Sequence, residues 1–214
     1  MRAGALAVAL ALAAAPAAAQ VPGLPVFNSG VTRGVMAAVD VGFPNDDAGG
    51  GTTFAGTMSY GASRFMLTGT IASWSPDAGD ATVAFGGTGS LHLIGGPLSP
   101  LSVTLQAGVA SWSQDVGPED ASFLHVPVGV GVGLVIPSPA VSLKPWIAPR
   151  LDLAKTDLLP NDDWESNFGL SAGLDVAFIG GFGLRAAYDR VYADDADPSV
   201  FSLGLNYLFG MPGL

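Results

Sequence analysis

After its first twenty residues this chain never runs eighteen apolar residues without interruption, yet its apolar side chains recur at every second position. A helical membrane span needs about 20 consecutive apolar residues, so a helical membrane protein is excluded. A period of two belongs to the extended strand, whose side chains point alternately to opposite faces. Phe54, Gly56, Met58 and Tyr60 alternate with Thr53, Ala55, Thr57 and Ser59. Leu101, Val103, Leu105, Ala107 and Val109 alternate with Ser102, Thr104, Gln106 and Gly108. Phe201, Leu203, Leu205, Tyr207 and Phe209 do the same against Ser202, Gly204 and Asn206.

Ten such stretches run over approximately 33–43, 52–61, 64–74, 81–93, 101–112, 122–136, 143–153, 166–179, 182–192 and 199–209. Most approach the 9–11 residues with which a tilted strand crosses a bilayer. Proline removes a ladder donor. Pro127, Pro145 and Pro149 therefore weigh against the sixth and seventh strands, and eight strands remain if that pair fails to form. Composition decides what the strands build. Charged residues are only 12% and mean hydropathy is +0.45, too apolar for an ordinary soluble surface. A membrane chain without helices must pair every strand on both sides. The expected fold is all-β: a transmembrane up-and-down antiparallel β-barrel of about ten strands.

The acidic residues sort in a way that a random scatter would not. Fourteen of the 18 fall between strands: Asp46, Asp47, Asp77, Asp80, Asp115, Glu119, Asp120, Asp157, Asp162, Asp163, Glu165, Asp194, Asp195 and Asp197. The other four, Asp40, Asp152, Asp175 and Asp189, take the polar face of their strands. None takes the apolar face, where a charge at mid-bilayer is costly. The acidic connections, Pro44 to Gly51, Ser75 to Asp80, Gln114 to Ala121, Lys155 to Glu165 and Ala193 to Pro198, are the longer ones. Short uncharged ones alternate with them, as periplasmic turns alternate with extracellular loops in an outer-membrane barrel. Aromatics gather toward strand ends in two girdles. Phe43, Trp74, Trp112, Phe123, Trp164, Tyr188 and Tyr192 make the outer one; Phe65, Phe178, Phe182 and Phe209 make the inner one.

Arg2, the Ala/Leu/Val run from Ala3 to Ala15 and the small residues Ala17-Ala18-Ala19 follow the order of a cleaved secretory signal. The expected organisation is a signal peptide over 1–19, an N-terminal periplasmic segment over 20–32, a barrel over 33–210 and a tail over 211–214. The chain holds no cysteine, so neither disulfides nor thiolate metal sites contribute.

The last hairpin runs Phe182-Gly183-Leu184-Arg185-Ala186-Ala187-Tyr188, then an acidic loop, then Phe201-Ser202-Leu203-Gly204-Leu205-Asn206-Tyr207-Leu208-Phe209. It resembles the C-terminal hairpin of small bacterial outer-membrane β-barrel proteins of the opacity-protein-like group. The resemblance is closest over the last thirty residues and implies a fold and an outer-membrane location, with no activity attached. Such barrels end on an aromatic residue, whereas here Gly210-Met211-Pro212-Gly213-Leu214 follows Phe209.

Three constellations are candidates for chemistry. Asp40, Lys144, Arg150, Asp152, Asp175, Arg185 and Asp189 are expected to point into the lumen, with His92 and His125 on the same side. Charges so buried must pair or be hydrated. Small lumen positions such as Gly129, Gly131, Gly133, Gly169, Ser171 and Gly173 leave room for a narrow solute path. Asp162, Asp163 and Glu165, with Asp194, Asp195 and Asp197, offer oxygen ligands to a divalent cation, although neither set has calcium-loop spacing. Two histidines and no H-E-x-x-H motif point away from an enzyme, no cofactor is implied, and no basic patch suits nucleic acid. The expected role is an envelope structural or interaction protein embedded in outer-membrane lipid, with acidic extracellular loops. The alternatives are a narrow passive channel and a soluble periplasmic ligand-binding barrel.

Overall fold

The computed structural model describes residues 21–95, 99–116, 119–157, 164–193 and 196–209. Ten antiparallel strands make up the wall: β1 (Gly34–Pro44), β2 (Thr52–Ala62), β3 (Phe65–Ser75), β4 (Thr82–Ile94), β5 (Leu101–Val116), β6 (Glu119–Leu134), β7 (Val141–Asp157), β8 (Trp164–Phe178), β9 (Phe182–Tyr192) and β10 (Ser199–Phe209). Each pairs with the next, and a two-residue bridge at Ile136–Pro137 extends the β6–β7 hairpin. β10 returns to β1, with Val35 opposite Phe209 and Phe43 opposite Phe201, so the sheet has no free edge. The barrel is closed, and the proline-bearing pair forms.

The ladder yields where the prolines stand. Between β5 and β6 it skips from Ala107↔Val128 to Ala110↔His125, passing over Pro127. Between β6 and β7 it skips from Gly129↔Arg150 to Val132↔Ile147, passing over Pro149. On their other side Pro145 and Pro149 still pair with Leu174 and Leu170 of β8. Each proline costs local ladder bonds and leaves the strand intact.

One expected loop is shorter than its composition suggests. The ladder runs on into it, with Gln114 opposite Ala121, Asp115 opposite Asp120 and Val116 opposite Glu119. Trp112 and Phe123 stack across the two strands with ring centroids 5.2 Å apart, and Ser113 and Ser122 bring their hydroxyls to 3.3 Å. Such cross-strand pairs carry the hairpin past the bilayer, against the turn-like composition of its tip.

The two faces of the wall divide as the alternation requires. Phe54, Met58, Leu67, Phe85, Leu151, Phe182 and Leu205 are exposed on the outside. Thr53, Ala55, Ala72, Ala84, Thr104, Gln106, Ala110 and Ala148 are buried inside. The outer aromatic girdle is thinner than expected, because Trp74, Trp112 and Phe123 face inward and are buried. Phe43, Trp164, Tyr188 and Tyr192 do stand on the outside.

The largest departure concerns the segment before β1. Residues 20–32 were expected in the periplasm, but from residue 21 onward this segment runs inside the barrel. Val21 and Leu24 pack at the outer end against Ala55, Ala72, Ala84, Ala110, Trp112, Ala121 and Phe123. Val26 and Phe27 pack lower, on Trp146 and Ala148. Thr32 reaches the periplasmic end, where a Cβ built on Gly61 would strike its carbonyl. Burial drives the placement: Val21, Leu24, Val26, Phe27 and Val31 are all at most 8% exposed. Each such side chain contributes about 1.5–3 kcal/mol when removed from water, a gain lost if the segment hung in the periplasm. The alanines of the inner wall leave the volume that it occupies. The signal expected over 1–19 and the tail over 211–214 lie outside the described residues.

Candidate functional site: the filled lumen

The polar residues of the lumen form two ion-pair clusters, each arching over a glycine. Arg150 on β7 and Asp189 on β9 are separated by β8, where Gly169 faces Arg150. A Cβ on Gly169 would lie 2.6 Å from the guanidinium carbon, so only glycine leaves the path open. Arg150 then reaches Asp189 through two charge-assisted hydrogen bonds, Nη1 to Oδ2 at 2.9 Å and Nη2 to Oδ1 at 2.7 Å. Its Nε lies 2.8 Å from Asp152 Oδ2, a charge contact outside aligned hydrogen-bond geometry. His125 brings Nε2 to 3.4 Å from the other Asp152 oxygen. Arg150, Asp152, Asp189 and His125 are all at most 2% exposed.

The second cluster repeats the device two strands further on. Arg185 on β9 pairs with Asp40 on β1 across Gly204 of β10. A Cβ on Gly204 would lie 2.0 Å from Asp40 Oδ1. Asp175 stands between Lys144 and Arg185 in the ladder, which places both cations beside it. All seven lumen charges singled out from the sequence therefore face inward. They gather as Arg150–Asp152–Asp189 and as Asp40–Arg185, with Lys144–Asp175 alongside.

Sequence reading overlooked the groups that hold the inner segment. Asp189 Oδ2 also accepts the main-chain N–H of Val26 at 3.2 Å. Gln106, fully buried, uses both ends of its amide on Asn28: Nε2 donates to the carbonyl at 3.0 Å and Oε1 accepts from the N–H at 3.5 Å. Thr53 Oγ1 donates to the carbonyl of Pro22 at 3.0 Å. The signal available in the sequence was the apolar content of Val21, Leu24, Val26 and Phe27, which suits no aqueous tail.

Gly169-Leu170-Ser171-Ala172-Gly173 also has the spacing of a G-x-S-x-G elbow, but it lies within β8 rather than on a strand–turn–helix corner. The Ser171 hydroxyl accepts from Arg150 Nη1 at 3.0 Å and donates to Asp189, so its capacity is used inside the ion-pair cluster. At the outer rim Asp197 is paired with Arg190 at 2.7 Å, and Glu165 is exposed at the start of β8. The other proposed cation ligands, Asp162, Asp163, Asp194 and Asp195, lie outside the described residues. Among the described residues no three carboxylate, histidine or cysteine groups converge on one point.

What space remains is small. A cavity of about 90 Å³ lies beside the inner segment, bounded by Ser29, Asp40, Thr57, Asp175, Arg185 and Asn206. The lumen is a filled core with a polar seam.

No protein-family model and no curated protein matches this chain. Solved structures do. The beta domain of the Bordetella autotransporter BrkA is 14% identical over 82% of this chain and 98% of its own, with a TM-score of 0.54. The N-terminal β-barrel domain of Pseudomonas aeruginosa OprF is 14% identical over 83% of this chain and 98% of its own, with a TM-score of 0.42. Neisserial surface protein A is 14% identical over 82% of this chain and 96% of its own, with a TM-score of 0.41. At that identity the likeness speaks for architecture. Together with the closed ten-strand wall and its apolar exterior, it shows that the chain has the fold of the β-barrels of the bacterial outer membrane.

Proposed function

We propose that the protein is an outer-membrane envelope protein whose barrel is a sealed, rigid support for its acidic outer surface. The single observation that carries this reading is the filled lumen: the segment from residue 21 to 33 runs through it, with a cavity of about 90 Å³ beside it. The barrel holds the outer connections at fixed spacing. Asn45 ties two of them together, donating from Nδ2 to the carbonyl of Asp197 at 3.1 Å and accepting from the Ser199 N–H at 2.9 Å. Fourteen of the 18 acidic residues lie in or beside these connections, which makes the outer rim an attractor for cations, divalent ions and basic surfaces. The exterior belt is what a barrel presents to lipid, and it counts against a soluble ligand-binding barrel.

Planar-bilayer recording on the full-length refolded chain tests the reading. Sealed bilayers with no steady single-channel current, from protein whose gel mobility shifts on boiling, are the expected result. A sustained ohmic pore in that preparation would overturn it and restore the passive-channel alternative.

A further inference from the structure

The segment from residue 21 to 33 is held as a ligand is held, and not as a strand is. Its one backbone–backbone hydrogen bond among the described residues is internal, from Leu24 N–H to the Val21 carbonyl. It joins no ladder, because all ten strands already pair with both neighbours. Instead the wall grips its main chain with three fully buried side chains, Thr53 on Pro22, Asp189 on Val26 and Gln106 on Asn28. Side chains of the wall thus bind its main chain, and apolar pockets take its side chains. Val21 and Leu24 take one pocket, against Trp112 and Phe123. Val26 and Phe27 take the other, against Trp146.

The wall is also shaped for a guest. Gly42 and Gly61 stand in strands at ordinary φ, so no backbone strain calls for glycine there. A Cβ at Gly42 would lie 1.7 Å from the carbonyl oxygen of Gly23, and one at Gly61 would lie 1.8 Å from that of Thr32. Glycine inside a strand often marks a place where another backbone approaches closely. Here the backbone that approaches is the inner segment itself.

We propose that the lumen is a binding tunnel for a turn-bearing, proline-interrupted apolar peptide, with the chain's own residues 21–33 as its resident occupant. The occupant continues through Gly34 into β1, and a free peptide of the same character can replace it once it is displaced. Its amino end lies at the outer mouth, beneath the Trp112–Phe123 stack, so the tunnel runs the length of the barrel. This goes beyond a sealed support, and it concerns the inner wall rather than the outer loops.

The test keeps the full chain and disables the occupant. A Leu24→Asp/Phe27→Asp variant is refolded in detergent, and its closure is verified by gel mobility with and without boiling. A fluorophore-labelled synthetic peptide spanning Val21 to Arg33 is then titrated and followed by anisotropy, with a scrambled peptide as control. The expected result is saturable binding to the variant. Binding to the unaltered chain should be at least roughly tenfold weaker, because a tethered occupant competes at an effective concentration near the millimolar range. Adding Gly42→Val and Gly61→Val to the same variant should abolish binding without opening the wall. If the charged variant does not refold, Leu24→Ala/Phe27→Ala carries the same titration. Equal binding of the scrambled peptide, or no binding to a closed variant, overturns the proposal. Failure of both variants to close overturns it too, since the segment would then be an inseparable part of the barrel core.

Discussion

At the scale of single residues, the lumen shows how a barrel accommodates charge within its wall. Arg150 has two carboxylates in reach, Asp152 and Asp189, and none of the three is more than 2% exposed. Removing one partner of such a buried pair costs about 3–5 kcal/mol, because the other charge is left without compensation. Asp189→Ala should therefore lower the unfolding free energy by about that amount, read from urea titrations in phospholipid vesicles. Asp189→Asn keeps part of the hydrogen bonding and should lose less; an equal loss would show that the charge of Asp189, and not its hydrogen bonding, holds Arg150. The inward direction of these charges was legible in the sequence, since polar positions alternate strictly with apolar ones. Their partners were not. Arg150 meets Asp189 across an intervening strand, and that pairing depends on Gly169 lying between them, a relation that exists only once registers are fixed.

At the scale of elements, the strands were the most legible feature, and the exceptions have physical causes. Acidic composition at the β5–β6 tip suggested a loop, but the Trp112–Phe123 stack supports a ladder that continues to Val116↔Glu119. Residues 20–32 read as a periplasmic segment, and the burial seen from residue 21 onward follows only from the space that closure of the barrel creates. The same contrast predicts opposite signs for one substitution in neighbouring strands. Gly69 on β3 faces outward, with nothing within 4 Å of a built Cβ, so Gly69→Ala should stabilise by about 0.5–1 kcal/mol. Gly42 on β1 faces the inner segment, so Gly42→Ala should destabilise by about 1–3 kcal/mol through overpacking. Paired denaturation curves of the two variants check this, and equal signs would mean that the segment gives way to the new methyl group.

At the scale of the whole molecule, the barrel is polarised along its axis as well as between its faces. Across the wall, Leu205 is 59% exposed on a belt that meets lipid. Leu205→Arg should cost about 2–4 kcal/mol in bilayers if the position lies near the midplane. In thin detergent shells the loss should shrink. Along the axis, Asp46, Asp47, Asp77, Asp80 and Asp197 are exposed at one end, while Arg33 and Arg64 are exposed at the other. The termini of the wall point to the acidic end as the outer one. β1 begins and β10 ends on the basic side, and a barrel with an even strand number keeps both on the periplasmic face with its short turns. The chain has no cysteine, so single substitutions report position without background. Asp77→Cys, in the β3–β4 connection, should react with a membrane-impermeant maleimide on intact cells. Arg64→Cys should react only after the outer membrane is opened. The reverse pattern would turn the barrel over, placing the acidic rim and the outer end of the lumen segment in the periplasm.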